Sequence, residues 1–198
     1  MESFLAFPEL IAFDLDYTLW PFWVDTHISG EPFKLLSNGN VIDRGGFEVR
    51  LYKDVASILE FIRCYLPSTK LALASRTPEP EWASGIISKL EITPDLKKVN
   101  FLKEEFGLKE SHFEPSATKK PFKEYFSSIQ LYPGNKLPHF RAIQKDTSIA
   151  YDDMVFYDDE PRNIKDVNGL GVFSVLAGNG LTIPLFVESI TKYISSKN

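Results

Sequence analysis

The chain has 198 residues, of which 43% are hydrophobic, and this is enough for one substantial core in a single domain over residues 1–198. Its formal net charge is −5 at pH 7, and no run of basic residues exceeds a pair, so a nucleic-acid partner is not expected. Cys64 is the only cysteine, which excludes an intrachain disulfide and fits a reducing compartment. No apolar stretch approaches the roughly 18 residues of a membrane span, and no basic leader is present. We therefore expect no membrane partner and a cytoplasmic, or also nuclear, location.

The first predicted element is a strand over residues 10–13, an apolar Leu-Ile-Ala-Phe run that is typical of a strand inside a sheet. Asp14 and Asp16 follow it with one residue between them, and the two-residue period of a strand sends both side chains toward the same side. Two carboxylates about 4 Å apart repel by about 4 kcal/mol at an effective dielectric of about 20. The pair therefore needs a cation or a proton between the acids, although the D-x-D-x-T pattern alone could also be a loop of solvated acids.

The segment after these acids is rich in aromatic residues and then in turn residues. Residues 32–51 contain a Ser-Asn-Gly-Asn turn between two apolar arms, which predicts a small hairpin flap. The side chains of Trp20, Phe22 and Trp23 allow two interpretations. Aromatic residues are more often part of a core, but one of these rings, next to the acids, could stack on an aromatic or sugar group of a ligand.

The rest of the chain alternates between helical periodicity and short apolar strands. In chain order, the predicted elements are a helix over 55–66, a strand over 70–74, helices over 82–90 and 95–108, a strand over 128–132, a helix to 145, a strand over 154–157, a helix from 161 to 169, a strand over 172–176 and a helix over 183–194. Residues 109–126 have weak periodicity, and we expect irregular structure with one short helix there. The wider stretch 92–126 is predicted to be an extended insertion.

Strands that alternate with helices indicate parallel βαβ units, and hence an open α/β sheet with helices on both faces. Ligands of such sheets lie beyond the carboxyl ends of the strands. Polar groups follow four of the predicted strands at that edge, namely Asp14, Asp16, Ser75, Lys136, Asp158 and Asp159. The sequence therefore predicts one site built from four separate segments.

These motifs resemble the haloacid dehalogenase (HAD) superfamily and, within it, the magnesium-dependent phosphatase family. The superfamily resemblance covers nearly the whole chain, through four motifs in the expected order. The closer resemblance rests on F-D-L-D-Y-T-L-W-P-F-W-V-D-T-H at 13–27, A-S-R-T at 74–77 and V-F-Y-D-D-E at 155–160. It implies a Rossmann-like parallel sheet sandwiched by helices. The flap and one helix fill the interval before the second strand, so no large cap domain is expected there.

The resemblance also implies catalytic roles. Asp14 is the expected nucleophile, which forms an aspartyl-phosphate, and Asp16 is the expected general acid and base. Asp14, the backbone carbonyl of Asp16 and the side chain of Asp158 would hold Mg²⁺, which prefers oxygen ligands and keeps several waters. Ser75 would hydrogen-bond a phosphoryl oxygen, and Lys136 would neutralise charge.

Five further residues are assigned supporting roles by the same resemblance. Leu15, Arg76 and Trp20 are expected to contact substrate, together with Asp16, Ser75 and Lys136. Thr18 is expected to brace the turn after Asp16. Asp159 is expected to orient Lys136 or a metal-bound water.

The favoured function is a magnesium-dependent phosphomonoesterase, with phosphotyrosine in proteins as the favoured substrate. Phosphatases of sugar phosphates or of phosphorylated glycated proteins remain open, as does a non-catalytic scaffold that binds phosphorylated groups. A dehalogenase or phosphonatase is disfavoured, because in the superfamily these replace the second aspartate or need a lysine from a cap. The expected partner is thus a phosphorylated protein or a small phosphomonoester. His27, His112 and His139 lack metal-ligand spacing, so they are predicted to be structural or exposed.

Overall fold

The structure is a computed structural model, and it describes residues 6–197. Its strands are β1 (Leu10–Phe13), β2 (Lys34–Leu35), β3 (Val41–Ile42), β4 (Glu48–Val49), β5 (Lys70–Ser75), β6 (Glu91–Ile92), β7 (Lys120–Pro121), β8 (Ser128–Leu131), β9 (Met154–Asp158) and β10 (Phe173–Leu176). Its α-helices are α1 (Val24–His27), α2 (Val55–Tyr65), α3 (Pro80–Lys89), α4 (Leu96–Glu105), α5 (Lys136–Thr147), α6 (Pro161–Asn168) and α7 (Ile183–Lys197). Across the described residues, no helix has the length and apolar character that a membrane span requires.

Five parallel strands form the central sheet, in the order β10-β9-β1-β5-β8. Strand β1 lies in the middle, and its residue Phe13 is paired with Leu73 of β5 and with Tyr157 of β9. The chain first adds strands on one side of β1 and then crosses to the other side. This reversal leaves a crevice at the carboxyl end of β1, which is where open α/β sheets bind ligands. The predicted parallel α/β sheet is confirmed.

Alternating side chains of the strands divide the core into two parts. Ile11 and Phe13 face a large cluster that includes residues from α2, α3, α4 and α7. Leu10 and Ala12 face a smaller cluster that includes residues from α5 and α6. All four residues of β1 are completely buried, as expected for a strand with a covered sheet face on each side. The predicted helices on both faces are therefore present.

The predicted flap over residues 32–51 is a three-stranded antiparallel sheet in the order β2-β3-β4, rather than a two-stranded hairpin. A second turn, at Gly46 with φ of +89°, returns the chain as β4, and the carboxylate of Asp43 holds this turn by accepting the N–H of Phe47 at 2.7 Å. The first turn lies against β6, because the N–H of Glu91 donates to the carbonyl of Gly39 at 3.0 Å. A Cβ at Gly39 would lie 2.5 Å from the Glu91 oxygen, so only glycine fits there.

Within the stretch 92–126, helix α4 matches the helix predicted over 95–108, and residues 109–126 are largely irregular with one short 3₁₀ helix at Phe122–Tyr125, as expected. Helix α4 packs against α2 and α7, and β7 pairs with β6 in a short antiparallel ribbon. The irregular part is attached to α2 through the buried carboxylate of Glu60, which accepts hydrogen bonds from the N–H of Ser116 at 3.1 Å and from the hydroxyl of Tyr125 at 2.9 Å. A lysine, Lys120, also pairs with Glu60 at 2.5 Å. The stretch 92–126 is thus attached to the main body of the protein.

Candidate active site

Asp14 lies at the carboxyl end of β1 and is fixed by the sheet. Its N–H donates to the carbonyl of Tyr157 in β9 at 2.9 Å, and only 6% of the residue is exposed. The chain then turns tightly, since the carbonyl of Leu15 accepts the N–H groups of Leu19 at 2.8 Å and of Trp20 at 3.3 Å. Both the nucleophile candidate and the turn after it therefore have a well-defined backbone.

Thr18 makes hydrogen bonds across this turn through its backbone, which agrees with the bracing role expected for this residue. Its N–H donates to Leu15 at 3.2 Å, and its carbonyl accepts the N–H of Leu181 at 2.9 Å. The hydroxyl is buried and has no hydrogen-bond partner among residues 6–197.

Lys136 is completely buried beneath the two acids that it joins. It is the first residue of α5, whose N-terminus is capped by the side chain of Asn135. The ammonium donates to Asp14 Oδ1 at 2.5 Å, lies 3.1 Å from Asp158 Oδ2 and also contacts the carbonyl of Ala74. Burial alone would lower the pKa of Lys136, but the two carboxylates raise it above its usual value. Lys136 therefore stays charged and places one positive charge between the two acids.

The charges in this arrangement and the burial of the site alter the pKa of Asp14. Burial raises the pKa of Asp14 above its usual range; the charge of Lys136 opposes this rise, and the charges of Asp158 and Asp16 add to it. A single lysine thus does not balance the acids at this edge of the sheet. A further cation would favour the ionised carboxylate that a nucleophile needs.

Asp158 ends β9, and its carboxylate is held by a residue that the sequence reasoning missed. The amide of Asn163, in the first turns of α6, donates to both carboxylate oxygens at 3.0 Å, and the N–H of Glu160 donates to Oδ1 at 2.8 Å. Arg76 in turn donates to Asn163 Oδ1 at 2.9 Å. The signal for Asn163 was its place one helical turn after the acids at 158–160.

Arg76 joins three of the loops that build the site. Besides Asn163, its guanidinium donates to Glu160 at 3.1 Å and to the carbonyl of Gly134, in the loop before Lys136. It also lines the site cavity. The predicted contact of Arg76 with substrate is compatible with its position in the cavity lining. Its hydrogen bonds also give it a role in positioning Asn163, Glu160 and the Gly134 loop.

Asp16 is half-buried, and both of its carboxylate oxygens accept hydrogen bonds. Oδ1 accepts from the indole N–H of Trp20 at 2.7 Å, and Oδ2 accepts from the N–H of Val24 at 3.2 Å. Burial raises the pKa of Asp16 to about 6, and the two hydrogen bonds oppose the rise. A carboxyl group with this pKa can exchange a proton near neutral pH, as a general acid and base must.

Trp20 is not a stacking platform, which corrects one of the predicted substrate contacts. Its ring is completely buried and stacks on Phe22 with centroids 5.0 Å apart, so no face is open to a ligand. Trp23 takes the exposed position instead, with 49% of the residue accessible. The side chain of Leu15 is also buried, which leaves only its backbone for a substrate contact.

A cavity of about 170 Å³ opens at the carboxyl ends of β1, β5 and β9. Its lining comprises Asp14, Asp16, Trp23, Asp25, Ser75, Arg76, Thr77, Pro78, Asp159, Glu160 and Asn163. It therefore brings five of the predicted site residues together, with Lys136 and Asp158 directly behind them: Asp14, Asp16, Ser75, Arg76 and Asp159. A larger cavity, of about 720 Å³ between α3 and β8, contains none of the predicted residues.

Ser75 and His139 connect the end of β5 to α5. Ser75 is buried, and its Oγ accepts the N–H of Thr77 at 3.3 Å. His139 Nε2 lies 2.9 Å from the carbonyl of Ser75, and Nδ1 lies 3.0 Å from that of Asn135. His139 is thus a buried structural residue, whereas His27 and His112 are exposed, as predicted for these three side chains.

The acids at this edge fit a magnesium ion. Asp14, Asp158 and Asp159 each offer a carboxylate oxygen, and these oxygens lie within 4.8 Å of one another. Mg²⁺ prefers such oxygen donors and completes its six positions with water. Burial raises the pKa of Asp159 to about 6, and the charge of Asp158 adds to the rise. The Asp159 carboxylate therefore lies beside the acids that could bind the metal. Of the two roles predicted for Asp159, this position favours orienting a metal-bound water over orienting Lys136.

Two solved structures share this fold over most of the chain. A HAD-superfamily hydrolase from Ehrlichia chaffeensis aligns with a TM-score of 0.53 at 11% identity, covering 95% of this chain and 98% of that one. CbbY from Rhodobacter sphaeroides aligns with a TM-score of 0.51 at 13% identity, covering 85% of each chain. At these identities the likeness concerns the fold alone, which is the fold of these two proteins.

Sequence comparisons narrow this fold to a family. The Acid Phosphatase family model matches residues 6–196. Magnesium-dependent phosphatase 1 of Homo sapiens is 35% identical over 191 residues, which are 96% of this chain and 89% of that protein. A HAD-like hydrolase superfamily protein of Schizosaccharomyces pombe is 34% identical over 193 residues, covering 96% and 98% of the two chains. The chain belongs to the magnesium-dependent phosphatase family of the HAD superfamily. Membership and the acidic triad together imply Mg²⁺ as its cofactor.

Proposed function

We propose that the protein is a magnesium-dependent phosphomonoesterase that acts through an aspartyl-phosphate on Asp14, and that phosphotyrosine in proteins is its substrate. The observation that carries the proposal is the pairing of two differently held carboxylates in one small cavity. Asp14 is ion-paired to Lys136 at 2.5 Å. Asp16 has a pKa raised to about 6. One acid is thus suited to attack and the other to proton transfer.

In the first step, an oxygen of Asp14 forms a bond to phosphorus, and the bond from phosphorus to the ester oxygen breaks. The protonated carboxyl of Asp16 gives its proton to the leaving oxygen. Asp14 and Asp158 would hold Mg²⁺, which would supply neutralisation of negative charge at the phosphoryl group. Lys136 holds Asp14 in place from behind, while the hydroxyl of Ser75 can donate to a phosphoryl oxygen.

In the second step, Asp16 is a carboxylate and takes a proton from a water molecule that attacks phosphorus. The bond between Asp14 and phosphorus breaks, inorganic phosphate leaves, and both acids return to their first states. Dividing the hydrolysis into two displacements lowers the barrier of each. The hydrogen bonds from Trp20 and Val24 keep the Asp16 carboxylate in one orientation through both steps.

The size of the cavity supports a large substrate. A volume of about 170 Å³ holds a phosphoryl group but not a whole phosphorylated residue. Between β1 and β5 the described chain holds only α1, the flap and α2, so no cap domain covers the cavity there. The leaving group therefore lies at the open mouth, where Trp23 offers an aromatic face. This combination favours phosphotyrosine on a protein surface over a small sugar phosphate.

The test is a substrate panel with purified protein in Mg²⁺, comparing phosphotyrosine peptides, sugar phosphates, a phosphorylated glycated peptide and p-nitrophenyl phosphate. We expect release of inorganic phosphate that requires Mg²⁺, with phosphotyrosine the preferred substrate. Asp14→Asn should reduce turnover to background, whereas Asp152→Asn, an exposed acid outside the site cavity, should leave it unchanged. Turnover that persists in Asp14→Asn would refute the mechanism. Preference for a sugar phosphate would refute the assigned substrate.

A further inference from the structure

Two residues at the mouth of the site cavity have no role in the chemistry above. Trp23 is 49% exposed, and Asp25 is exposed as well. Both line the cavity together with Asp14 and Asp16. A half-exposed tryptophan is costly to keep in contact with water, and an exposed aromatic surface at a cavity is a frequent ligand contact.

The segment that carries these two residues is attached to the acid Asp16. The N–H of Val24, the residue between them, donates to Asp16 Oδ2 at 3.2 Å. A proton passes from Asp16 to the leaving oxygen only within hydrogen-bond reach. The leaving oxygen therefore lies beside Asp16, and the rest of the leaving group extends along Trp23 and Asp25.

The ring of Trp23 is held in place by neighbouring rings. Tyr17 packs edge to face against it with centroids 4.8 Å apart and planes at 65°, and the His27 ring lies 6.1 Å away. A ring held in this way can stack on an aromatic group without first becoming ordered, so little side-chain entropy is lost on binding.

Acidic side chains outnumber basic ones in the lining of the cavity mouth. Asp25, Asp159 and Glu160 all line it. Among the described lining residues, Arg76 is the one base, and its guanidinium already binds Glu160, Asn163 and Gly134. A second anion next to the phosphoryl group would thus be repelled, whereas a cation would be attracted.

We propose that Trp23 and Asp25 determine which leaving groups are accepted. Trp23 stacks on an aromatic leaving group, and Asp25 selects a positively charged side chain next to it. The preferred substrate is a phosphotyrosine segment with a neighbouring Lys or Arg. This inference rests on the proposed function, and its tests separate the two.

The first test measures kcat/KM for two phosphotyrosine peptides that differ only in a Lys or a Glu beside the phosphotyrosine. We expect the wild-type protein to favour the Lys peptide by about two- to fivefold at low salt, and added salt to reduce the ratio. Asp25→Asn should bring the ratio close to one, and the control Asp152→Asn should retain it. An unchanged ratio in Asp25→Asn would overturn the role of Asp25.

The second test compares phosphotyrosine and phosphoserine in the same peptide sequence. Trp23→Leu should lower the phosphotyrosine-to-phosphoserine ratio of kcat/KM by about 3- to 10-fold, mainly through KM. Phe113→Leu removes an equally exposed aromatic ring that lies outside the site cavity, and should leave the ratio unchanged. Equal ratios in wild type and Trp23→Leu would overturn the role of Trp23.

Hydrolysis of p-nitrophenyl phosphate separates failure of this inference from failure of the proposed function. If the wild-type protein hydrolyses it in Mg²⁺, but neither Trp23→Leu nor Asp25→Asn changes its kcat/KM ratio, the proposed function is retained and the inference is refuted. A wild-type protein that hydrolyses no phosphoester refutes both. Circular dichroism of each variant verifies folding, and the exposure of both side chains makes loss of the fold unexpected.

Discussion

The environment of Asp16 cannot be predicted from its D-x-D motif alone. The D-x-D spacing predicts a second acid, but the contacts that fix it come from Trp20 and Val24, further along the chain. Burial and these two donors act in opposite directions on its pKa, which lies at about 6. The role proposed for Asp16 in both steps of hydrolysis therefore depends on a local structure formed by the aromatic segment.

Asp16→Asn should separate the two steps of the reaction. p-Nitrophenolate is a good leaving group that needs little protonation, so Asp14 should still be phosphorylated. The attacking water loses its base, and we expect steady-state turnover to fall by about 10²- to 10⁴-fold. Stopped-flow absorbance should show a burst of p-nitrophenolate followed by this slow phase. Steady-state turnover equal to that of the wild type would contradict the role of Asp16.

Asn163 should affect metal affinity without touching the metal. Its amide donates to both oxygens of Asp158 at 3.0 Å. Residues that orient a metal-binding carboxylate typically contribute about 10- to 100-fold to metal affinity. Asn163→Ala should raise the Mg²⁺ concentration for half-maximal activity by about this factor. Asn168→Ala, at the exposed end of α6, is the matched control. An unchanged Mg²⁺ titration in Asn163→Ala would contradict this role.

At the scale of elements, the parallel strands could be predicted from the sequence, whereas the attachment of residues 109–126 could not. Strands β1, β5 and β9 are apolar runs because both faces of the sheet are covered, and this pattern is local. The order of residues 109–126 instead depends on Glu60, a charged residue in the middle of α2 that helical periodicity alone would not assign to a buried position. The third strand of the flap was missed although Gly45 and Gly46 form a turn dipeptide before it, because the two residues of β4 are too few to show strand periodicity.

Glu60 should stabilise the fold in a pH-dependent manner. Burial alone would raise the pKa of Glu60, but hydrogen bonds from Arg63, Lys120, Ser116 and Tyr125 lower it to about 2. The unfolded value is about 4.3, so the folded pKa is depressed. The stabilisation is fully present above about pH 4.3 and is lost as the pH falls toward 2; it amounts to about 3 kcal/mol.

Glu60→Gln should lower the free energy of unfolding at pH 7 by about 2–4 kcal/mol, because Arg63 and Lys120 lose their partner. The difference from wild type should shrink as the pH falls from 4 to 2. Urea denaturation at several pH values measures both effects. Glu188→Gln removes an exposed pair with Lys192 and should change stability by less than about 1 kcal/mol. A Glu60→Gln protein as stable as wild type at pH 7 would refute the network's role.

At the scale of the whole molecule, the topology decides where the chemistry lies. The four predicted segments are far apart in sequence, and the strand order β10-β9-β1-β5-β8 brings them to one edge. Because parallel strands share a carboxyl edge, the positions of Asp14, Ser75 and Asp158 followed from the sequence. Which aromatic ring is exposed did not follow, since Trp20 and Trp23 differ only in how the turn after Asp16 orients them.

The concentration of acids at this edge should make the folded protein sensitive to Mg²⁺. Without the ion, Asp159→Asn relieves repulsion from Asp158 and should raise the melting temperature by a few degrees, since about 1 kcal/mol corresponds to about 2–4 °C for a chain of this size. Added Mg²⁺ should stabilise the wild type more than the variant. Differential scanning fluorimetry with and without EDTA measures both shifts, and Asp152→Asn is the control. A lower melting temperature for Asp159→Asn in EDTA would contradict the prediction.

The contact between the flap and the β6–β7 ribbon has a kinetic consequence. The tip of the flap is attached at two points, through the Glu91 N–H to Gly39 and through the Lys119 ammonium to the carbonyl of Ser37. A flap that is attached at its tip does not open and close as a lid. Substrate capture and phosphate release should therefore proceed without a gating step of the flap, so that a viscous solvent slows them only as far as it slows diffusion itself.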